Sequence, residues 1–249
     1  MTEWHMESDI IMLLKTLKKE YLDSTLDGKL CFSCPSLFTS TINNLKPGQQ
    51  DTWDSHLSFD AHHVVIAPII SKEDEPLQYG PAKKVADKTR MHTCNSIVQR
   101  SPMTCFRKVT MADLQEQKEC DVFALGDLVD RINSEMGHDA YVLIAYPLEF
   151  LKQLNEKERF FGHSIHYGEI DEQFESFLEE YPLQQGEMFQ KSMDYAWQQE
   201  YRLVLTPRDN SDQVFVEMGS IRDIAIGGDL EDLRHGIAFW SRNQNNLAE

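Results

Sequence analysis

One stretch decides the fold of this chain: Gln198-Gln199-Glu200-Tyr201-Arg202-Leu203-Val204-Leu205-Thr206-Pro207. Its second half joins aromatic, branched and apolar side chains and ends at a proline, a pattern typical of a buried strand. Glu200 stands at the start of that strand, where a rigid backbone can hold a carboxylate in fixed geometry against a ligand. The same position also favours a structural ion pair with Arg202 or Lys191. The sequence therefore leaves both roles of Glu200 open.

The composition is that of a folded globular protein with a sizeable core. Of 249 residues, 41% are hydrophobic and 10% are aromatic, which excludes a disordered chain. Helical patterns punctuate the first two-thirds of the chain and strand patterns dominate the rest. That order predicts an α+β fold, with a mixed or antiparallel sheet core and helices packed on it. We predict a single domain over residues 1–242 and a flexible tail over 243–249.

The charge balance restricts the partners. A net charge of −17 disfavours direct binding of nucleic acid or anionic lipid, but it allows a basic protein partner. No run of 18 apolar residues is present, so no membrane span is expected. Five cysteines, an odd number, and an acidic N-terminal segment predict a cytoplasmic protein.

Periodicity predicts several further elements. Ser8 or Asp9 is expected to cap an amphipathic helix, with Lys15, Lys18 and Lys19 mostly off its apolar face. That face is predicted to carry Ile10, Leu14, Leu17 and Tyr21. Further helices are predicted over 111–117, 125–136, 170–181 and 230–240 and from Pro147 onwards, and strands over 29–33, 62–70, 96–98, 104–109, 139–146 and 221–226. A polar loop is expected over 43–56 and a surface excursion over 71–90.

Two segments carry longer motifs. The later one reads Phe189-x-Lys191-Ser192-x-x-x-Ala196-Trp197-Gln198-x-Glu200-Tyr201-Arg202-Leu203-Val204, and the earlier one reads Gly-Lys-Leu-Cys-Phe-Ser-Cys-Pro-Ser-Leu-Phe over 28–38. Together they resemble a family of uncharacterised bacterial and phage proteins, which carry a late Lys followed by Trp-x-x-Glu-Tyr/Trp-Arg. Members usually continue the earlier motif with Asn-Asp-Pro and an aspartate. This chain has Thr39 to Asn44 there instead, so no role of that aspartate is carried over.

The Gln-x-Glu at 198–200 is followed by a strand, a proline and a second strand at 214–216. This order is similar to the C-terminal motif of ADP-ribosyltransferases. The resemblance implies NAD as the cofactor and a carboxylate that stabilises the sugar cation as nicotinamide leaves. It implies that Glu200 is that carboxylate, that Gln198 positions the acceptor, and that His5 holds the ribose. The implied cofactor-binding residues are Ser33, Tyr195, Trp197 and Arg202. An NAD-handling effector of bacterial or phage conflict would follow.

A metal site is not expected. Cys31-x-x-Cys34 has the spacing of zinc ligands, but no second Cys-x-x-Cys follows it. If residues 30–33 form a strand, side chains three apart tend to face opposite sides. Buried free thiols are the simpler interpretation.

A non-enzymatic hypothesis comes from the acidic segment 169–200, which holds nine Asp and Glu residues against Lys191 alone. Such a surface could bind and inhibit a basic host protein or imitate nucleic acid. A solvated helix face is the third interpretation of the same charges.

Overall fold

A computed structural model describes residues 6–39, 58–60, 65–67, 78, 80–81, 83–84, 90–92, 95–117, 120–168, 183–208 and 212–240. Its fold is α+β, with mainly antiparallel sheets and several short helices, which confirms the predicted fold class. The single-domain division stays a prediction.

The strands are β1 (Ile10–Leu17), β2 (Lys29–Ser33), β3 (Ser58–Asp60), β4 (Val65–Ile66), β5 (Lys83–Lys84), β6 (Arg90–His92), β7 (Met103–Thr110), β8 (Leu114–Glu116), β9 (Asp121–Phe123), β10 (Ala140–Ile144), β11 (Phe160–Ser164), β12 (His166–Tyr167), β13 (Gln190–Lys191), β14 (Glu200–Leu205), β15 (Gln213–Glu217), β16 (Ala225–Asp229) and β17 (Ile237–Phe239). The α-helices are α1 (Leu22–Leu26), α2 (Ser36–Thr39), α3 (Ser96–Gln99), α4 (Leu128–Met136), α5 (Pro147–Lys157), α6 (Leu183–Met188) and α7 (Asp232–His235). Three further segments are 3₁₀ helices: Lys19–Tyr21, Met111–Asp113 and Met193–Gln198.

The central sheet has the strand order β11-β14-β7-β1-β10-β16, and every neighbouring pair is antiparallel. Strand β2 pairs along its length with β15 and touches β7 at one position, where Ser33 faces Met103. The pairing of β1 with β7 ends at Leu14 and Arg107. The two strands therefore separate on the side of β7 where β2 approaches, and this separation shapes the site.

The predicted helix at the start of the chain is wrong, because residues 10–17 form the strand β1 at the centre of the sheet. Its two faces lie in two different cores. Leu13 packs with residues of α5, whereas Leu14 packs with residues of α4. A nearly continuous apolar run is the signature of a strand buried on both faces, and such a run also matches a helical period by chance. Lys15 consequently lies within a buried strand.

One core lies on each face of the sheet. On the α5 face, Phe150, Leu151 and Leu154 of α5 pack with side chains of β1, β7 and β14. On the α4 face, Val129 and Ile132 of α4 pack with side chains of β1 and β10. Because strand side chains alternate, neighbours of Leu14 such as Arg107 and Glu200 belong to the α4 face. Polar side chains thus gather on that face.

Two short predictions before residue 120 are wrong. Residues 96–99 are helical rather than extended, because the Asn95 side chain accepts a hydrogen bond from the Ile97 amide at 2.9 Å and caps the turn. The predicted helix over 111–117 is a single 3₁₀ turn at Met111–Asp113 followed by β8. The Asp113 carboxylate bonds both the amide and the hydroxyl of Thr110, so the turn is closed locally and the chain continues as a strand.

Two late predictions also need correction. The expected helix over 230–240 is only α7, because Gly236 adopts a φ of 102° and the chain continues as β17 against β9. The expected strand over 221–226 begins later, at Ala225, and continues through Gly227 and Gly228. A side chain at Gly227 would lie 2.7 Å from Leu22 of α1, so only glycine lets the helix lie this close to the strand.

The other predicted elements agree or lie outside the described residues. Strands over 29–33, 104–109, 139–146 and 201–205 are confirmed as β2, β7, β10 and β14, and the helices at 125–136 and at Pro147 as α4 and α5. His5, the loop over 43–56, most of the segments 62–70 and 71–90, the acidic helix over 170–181 and the tail 243–249 lie outside them. Within the described part of the chain, no helix has the length and apolar character needed to cross a membrane.

Candidate functional site

Glu200 is placed by the turn that precedes β14. The Ser192 hydroxyl accepts a hydrogen bond from the Asp194 amide and begins the 3₁₀ helix Met193–Gln198. Gln199 then takes a left-handed conformation with φ 45°, which reverses the chain into β14. The Glu200 amide donates to the Tyr167 hydroxyl at 2.8 Å. These contacts therefore fix the backbone of Glu200 independently of the contacts of its side chain.

Two cations hold the Glu200 carboxylate. Nε of Arg202 donates to Oε1 at 2.7 Å, and Nζ of Lys191 donates to Oε2 at 3.2 Å. Side-chain exposure is 4% for Glu200, 8% for Lys191 and 0% for Arg202. Burial alone would raise the pKa of Glu200, but Arg202 and then Lys191 outweigh burial and keep that pKa below its ordinary range. Glu200 is thus an ionised, buried carboxylate.

These three residues form what we call the ion cluster: Lys191, Glu200 and Arg202. Its remaining donors are also satisfied. Lys191 donates to Oε1 of Gln198 at 2.9 Å, and its Nζ lies 4.9 Å from the centroid of the Tyr195 ring. Nη1 of Arg202 donates to the Met188 carbonyl at 2.8 Å. The structural pairing that the sequence allowed for Glu200 is confirmed with both candidate partners.

The Cys105 thiol lies beside the ion cluster on β7 and forms a further hydrogen bond to Glu200. Burial, and then the negative charge of Glu200, raise the pKa of the Cys105 thiol to about 12. A thiol with so high a pKa stays neutral at physiological pH and is a poor nucleophile. Cys105 therefore acts as a packed hydrogen-bond donor.

A cleft of about 390 Å³ opens next to the ion cluster, a volume within the usual range of small-molecule sites. Its described lining mixes apolar side chains with four cations and a single carboxylate, Glu200. The cations are Lys15, Lys18, Arg107 and Lys191. For a chain with a net charge of −17, this is a local reversal of sign.

The cleft reaches Lys15 where β1 and β7 separate. Nζ of Lys15 donates to Oγ1 of Thr104 at 2.7 Å and to the Cys105 carbonyl at 3.3 Å. It also lies 5.0 Å from the centroid of the Phe106 ring. Burial lowers the pKa of Lys15. A long cationic side chain thus fills the opening that the missing strand pairing leaves in the sheet.

Two hydrogen-bond donors of cleft residues have no acceptor among the described residues. They are Nε of Arg107 and Nε1 of Trp197, and both atoms are buried. Arg107 does use Nη1, which donates to the Trp197 carbonyl at 2.6 Å. The Trp197 ring is covered by the guanidinium of Arg131, 4.3 Å from the ring centroid. Burying a hydrogen-bond donor without an acceptor costs free energy, so each of these two donors calls for a structural or functional explanation.

The residues predicted from the ADP-ribosyltransferase resemblance are partly brought together. Ser33, Trp197, Gln198 and Glu200 all line the cleft. Arg202 supports Glu200 from β14, and Tyr195 covers Lys191. His5 lies outside the described residues, so its predicted role stays a prediction. Among the described residues, no group of three His, Cys, Asp or Glu side chains could hold a metal ion.

Sequence reasoning missed Lys15 and Arg107 as site residues. Both are single cations inside otherwise apolar or mixed strands, Ile10–Leu17 and Met103–Thr110. A charge within a predicted buried strand is the signal that could have found Arg107. Lys15 was hidden because its segment was predicted to be an amphipathic helix, on which a lysine needs no explanation.

Comparison with protein-family models, curated proteins and solved structures finds no match. Six of the nine acidic residues in the segment 169–200 lie outside the described residues, so an acidic protein that binds a basic partner stays a prediction. The geometry of the cleft is therefore the basis for a functional proposal.

Proposed function

We propose that the cleft binds an anionic small molecule with a flat ring, and that a nucleotide such as NAD is the first ligand to test. The observation that supports this proposal is the positive net charge of the side chains that line the cleft. Four cations and one carboxylate line it in a chain with a net charge of −17. An acidic protein repels anions at long range, so a site for an anion needs such a local reversal.

The pairing of these cations with carboxylates also supports the proposal. Within the ion cluster, Lys191 shares the Glu200 carboxylate with Arg202. Lys15 and Arg107 line the same cleft without a carboxylate at ion-pair distance among the described residues. Cations gathered without counter-ions repel one another, and a bound anion relieves that repulsion.

The enzymatic form of this proposal is an ADP-ribosyltransferase-like activity. NAD fits the donor set in kind, since Arg107 and Lys15 would face its phosphates and Trp197 offers an aromatic surface. When bound, it would supply a glycosidic bond with nicotinamide as the leaving group. Glu200 would contribute an ionised carboxylate, Gln198 an amide that Lys191 already orients, and Ser33 a hydroxyl. The catalytic roles of Glu200 and Gln198 remain proposals.

Calorimetric titration with NAD, ADP-ribose and nicotinamide tests the binding proposal. We expect binding of NAD and ADP-ribose and weakening by about 10- to 100-fold in Arg107→Gln, because a hydrogen bond to a charged group is worth about 1.5–3 kcal/mol. Lys152→Gln is the matched control, because Lys152 is an exposed lysine of α5 on the opposite face. Equal affinity of Arg107→Gln and wild type, or no binding of either nucleotide, would overturn the proposal.

Release of nicotinamide from NAD tests the enzymatic form separately. Gln198→Ala is the variant of choice because it leaves the Glu200 ion pairs in place. A protein that binds NAD without releasing nicotinamide, alone or with cell extract as the acceptor source, would be a nucleotide-binding module rather than a transferase.

A further inference from the structure

Lys15 is half-buried and differs in its partners from Lys191, the buried lysine of the cleft. Lys191 donates to a carboxylate, whereas no carboxylate among the described residues lies at ion-pair distance from Lys15. The acceptors of Lys15 are a hydroxyl and a carbonyl oxygen, at 2.7 and 3.3 Å. Burial without a counter-ion disfavours the ammonium form, because neither acceptor carries a full charge.

The contacts of Lys15 accommodate the ammonium that makes it one of the cations of the cleft, and also the neutral amine that forms when it releases a proton. A neutral amine has two N–H bonds and one lone pair, and Oγ1 of Thr104 and the Cys105 carbonyl match the two N–H bonds in number. The Phe106 ring, 5.0 Å from Nζ, is the one further partner among the described residues and attracts the ammonium less strongly than a carboxylate would. The lone pair of the amine is then left for an electrophile in the cleft.

The ionisable groups around Lys15 do not restore its charge. Cys105 and Cys31 are thiols, and burial raises the pKa of Cys105 so that it stays neutral. Glu200 is the nearby carboxylate, and both of its oxygens are already engaged by Arg202 and Lys191. The burial effect therefore outweighs the charge of Glu200, and the pKa of Lys15 stays lowered.

We propose that Lys15 is a nucleophilic lysine that forms an imine with a carbonyl compound bearing an anionic group. Nζ attacks the carbonyl carbon, and the carbonyl oxygen leaves as water with the two protons of the amine. The step needs no oxidant or reductant and reverses with water. The preference for an anionic group rests on the proposed function of the cleft, whereas the nucleophilicity of Lys15 does not.

Reductive trapping tests this proposal. The full chain is treated briefly at pH 7.4 with pyridoxal 5′-phosphate or with pyridoxal, then with borohydride, and the labelled lysines are mapped by peptide mass spectrometry. An ordinary lysine is neutral about one time in a thousand at that pH, so exposed Lys152 serves as the internal reference. We expect Lys15 to be labelled faster than Lys152 by about tenfold or more.

The two probes separate the two proposals. Faster labelling of Lys15 by the phosphorylated probe supports both, and equal labelling by the two probes supports the nucleophile but contradicts the anion site. Labelling of Lys152 without Lys15 overturns the nucleophile, whatever the titrations show. Lys15→Met removes the site and should abolish the fast phase, whereas Lys29→Gln removes an exposed cation of β2 outside the described lining of the cleft and should leave the fast phase with pyridoxal.

Discussion

The cleft has a lysine on each of two sides, Lys191 buried and Lys15 half-buried, and the two lysines have different partners. On the β13–β14 side, Lys191 donates to Glu200, which Arg202 also holds. On the β1–β7 side, the partners of Lys15 within the described part of the chain are the Thr104 hydroxyl, the Cys105 carbonyl and the Phe106 ring. A counter-ion fixes the charge of a buried group, whereas its absence leaves the protonation state adjustable. Lys191 is therefore held as a fixed cation, whereas the lowered pKa of Lys15 brings it closer to the neutral amine.

The largest effect is expected for Glu200→Gln, which removes the charge that holds the ion cluster together. Arg202 has an exposed fraction of 0% and would keep a buried positive charge without a counter-ion. We expect the free energy of unfolding to fall by about 3–5 kcal/mol, measured by chemical denaturation. Glu217→Gln, at an exposed position of β15, is the control. If Glu200→Gln and Glu217→Gln were equally stable, the ion cluster would contribute nothing to the free energy of unfolding.

The pH dependence of the free energy of unfolding tests the same ion pairs. The pKa of Glu200 is lowered in the folded protein, so the unfolded chain binds a proton first as the pH falls. The stabilisation by Glu200 is therefore fully present above the unfolded pKa of about 4.3 and is lost as the pH falls towards the folded pKa. The stability difference between wild type and Glu200→Gln should narrow below about pH 4.3. A constant difference down to pH 3 would contradict the ion pairing.

A smaller loss is expected for Lys191→Met. This change removes one cation but leaves Glu200 paired with Arg202, so the carboxylate is not stranded. The expected loss is about 1.5–3 kcal/mol, the worth of hydrogen bonds to a charged group. Chemical denaturation beside Glu200→Gln gives the order of the two effects. A larger loss in Lys191→Met than in Glu200→Gln would show that Lys191, rather than Arg202, is the main partner.

Lys15→Met should cost little or nothing at pH 7, because it replaces a half-buried cation that has no counter-ion among the described residues with an apolar chain of similar length. The pKa of Lys15 is lowered in the folded protein, so the folded state releases its proton first. The stability of the wild type then rises with pH up to the unfolded pKa of about 10.4. Relative to wild type, Lys15→Met should be most favourable near pH 7 and lose that advantage towards pH 10. A loss like that of Lys191→Met would contradict the contrast between the two lysines.

The smallest change in stability is expected for Arg222, an exposed cation whose partners are carboxylates, like the partner of Lys191. Arg222 donates to Asp23 and Asp27, each at 2.9 Å, but all three side chains are largely exposed. Solvent screens such pairs, so Arg222→Gln should leave the melting temperature almost unchanged in low and high salt. A drop comparable to that of Lys191→Met would mean that burial does not explain the contrast.

The sequence predicted much of the late part of the fold. The strand at 201–205 and the pairing of Glu200 could be predicted because the apolar pattern and the charged neighbours are adjacent in the chain. The cleft could not be predicted in the same way. Lys15 and Thr104 are 89 positions apart, and their contact depends on the register of β1 with β7. A wrong period for residues 10–17 therefore removed Lys15 from the candidate site.

The ion cluster also limits how this sequence can change over generations. Any single neutral substitution at Lys191, Glu200 or Arg202 leaves a buried charge with fewer partners, whereas replacing all three at once with well-packed apolar residues can be nearly neutral. A lineage that must pass through single substitutions would therefore tend to keep all three. A Lys followed by Glu-Tyr-Arg would then be retained because each single substitution destabilises the fold. The three residues would be expected even in descendants whose cleft no longer binds a ligand.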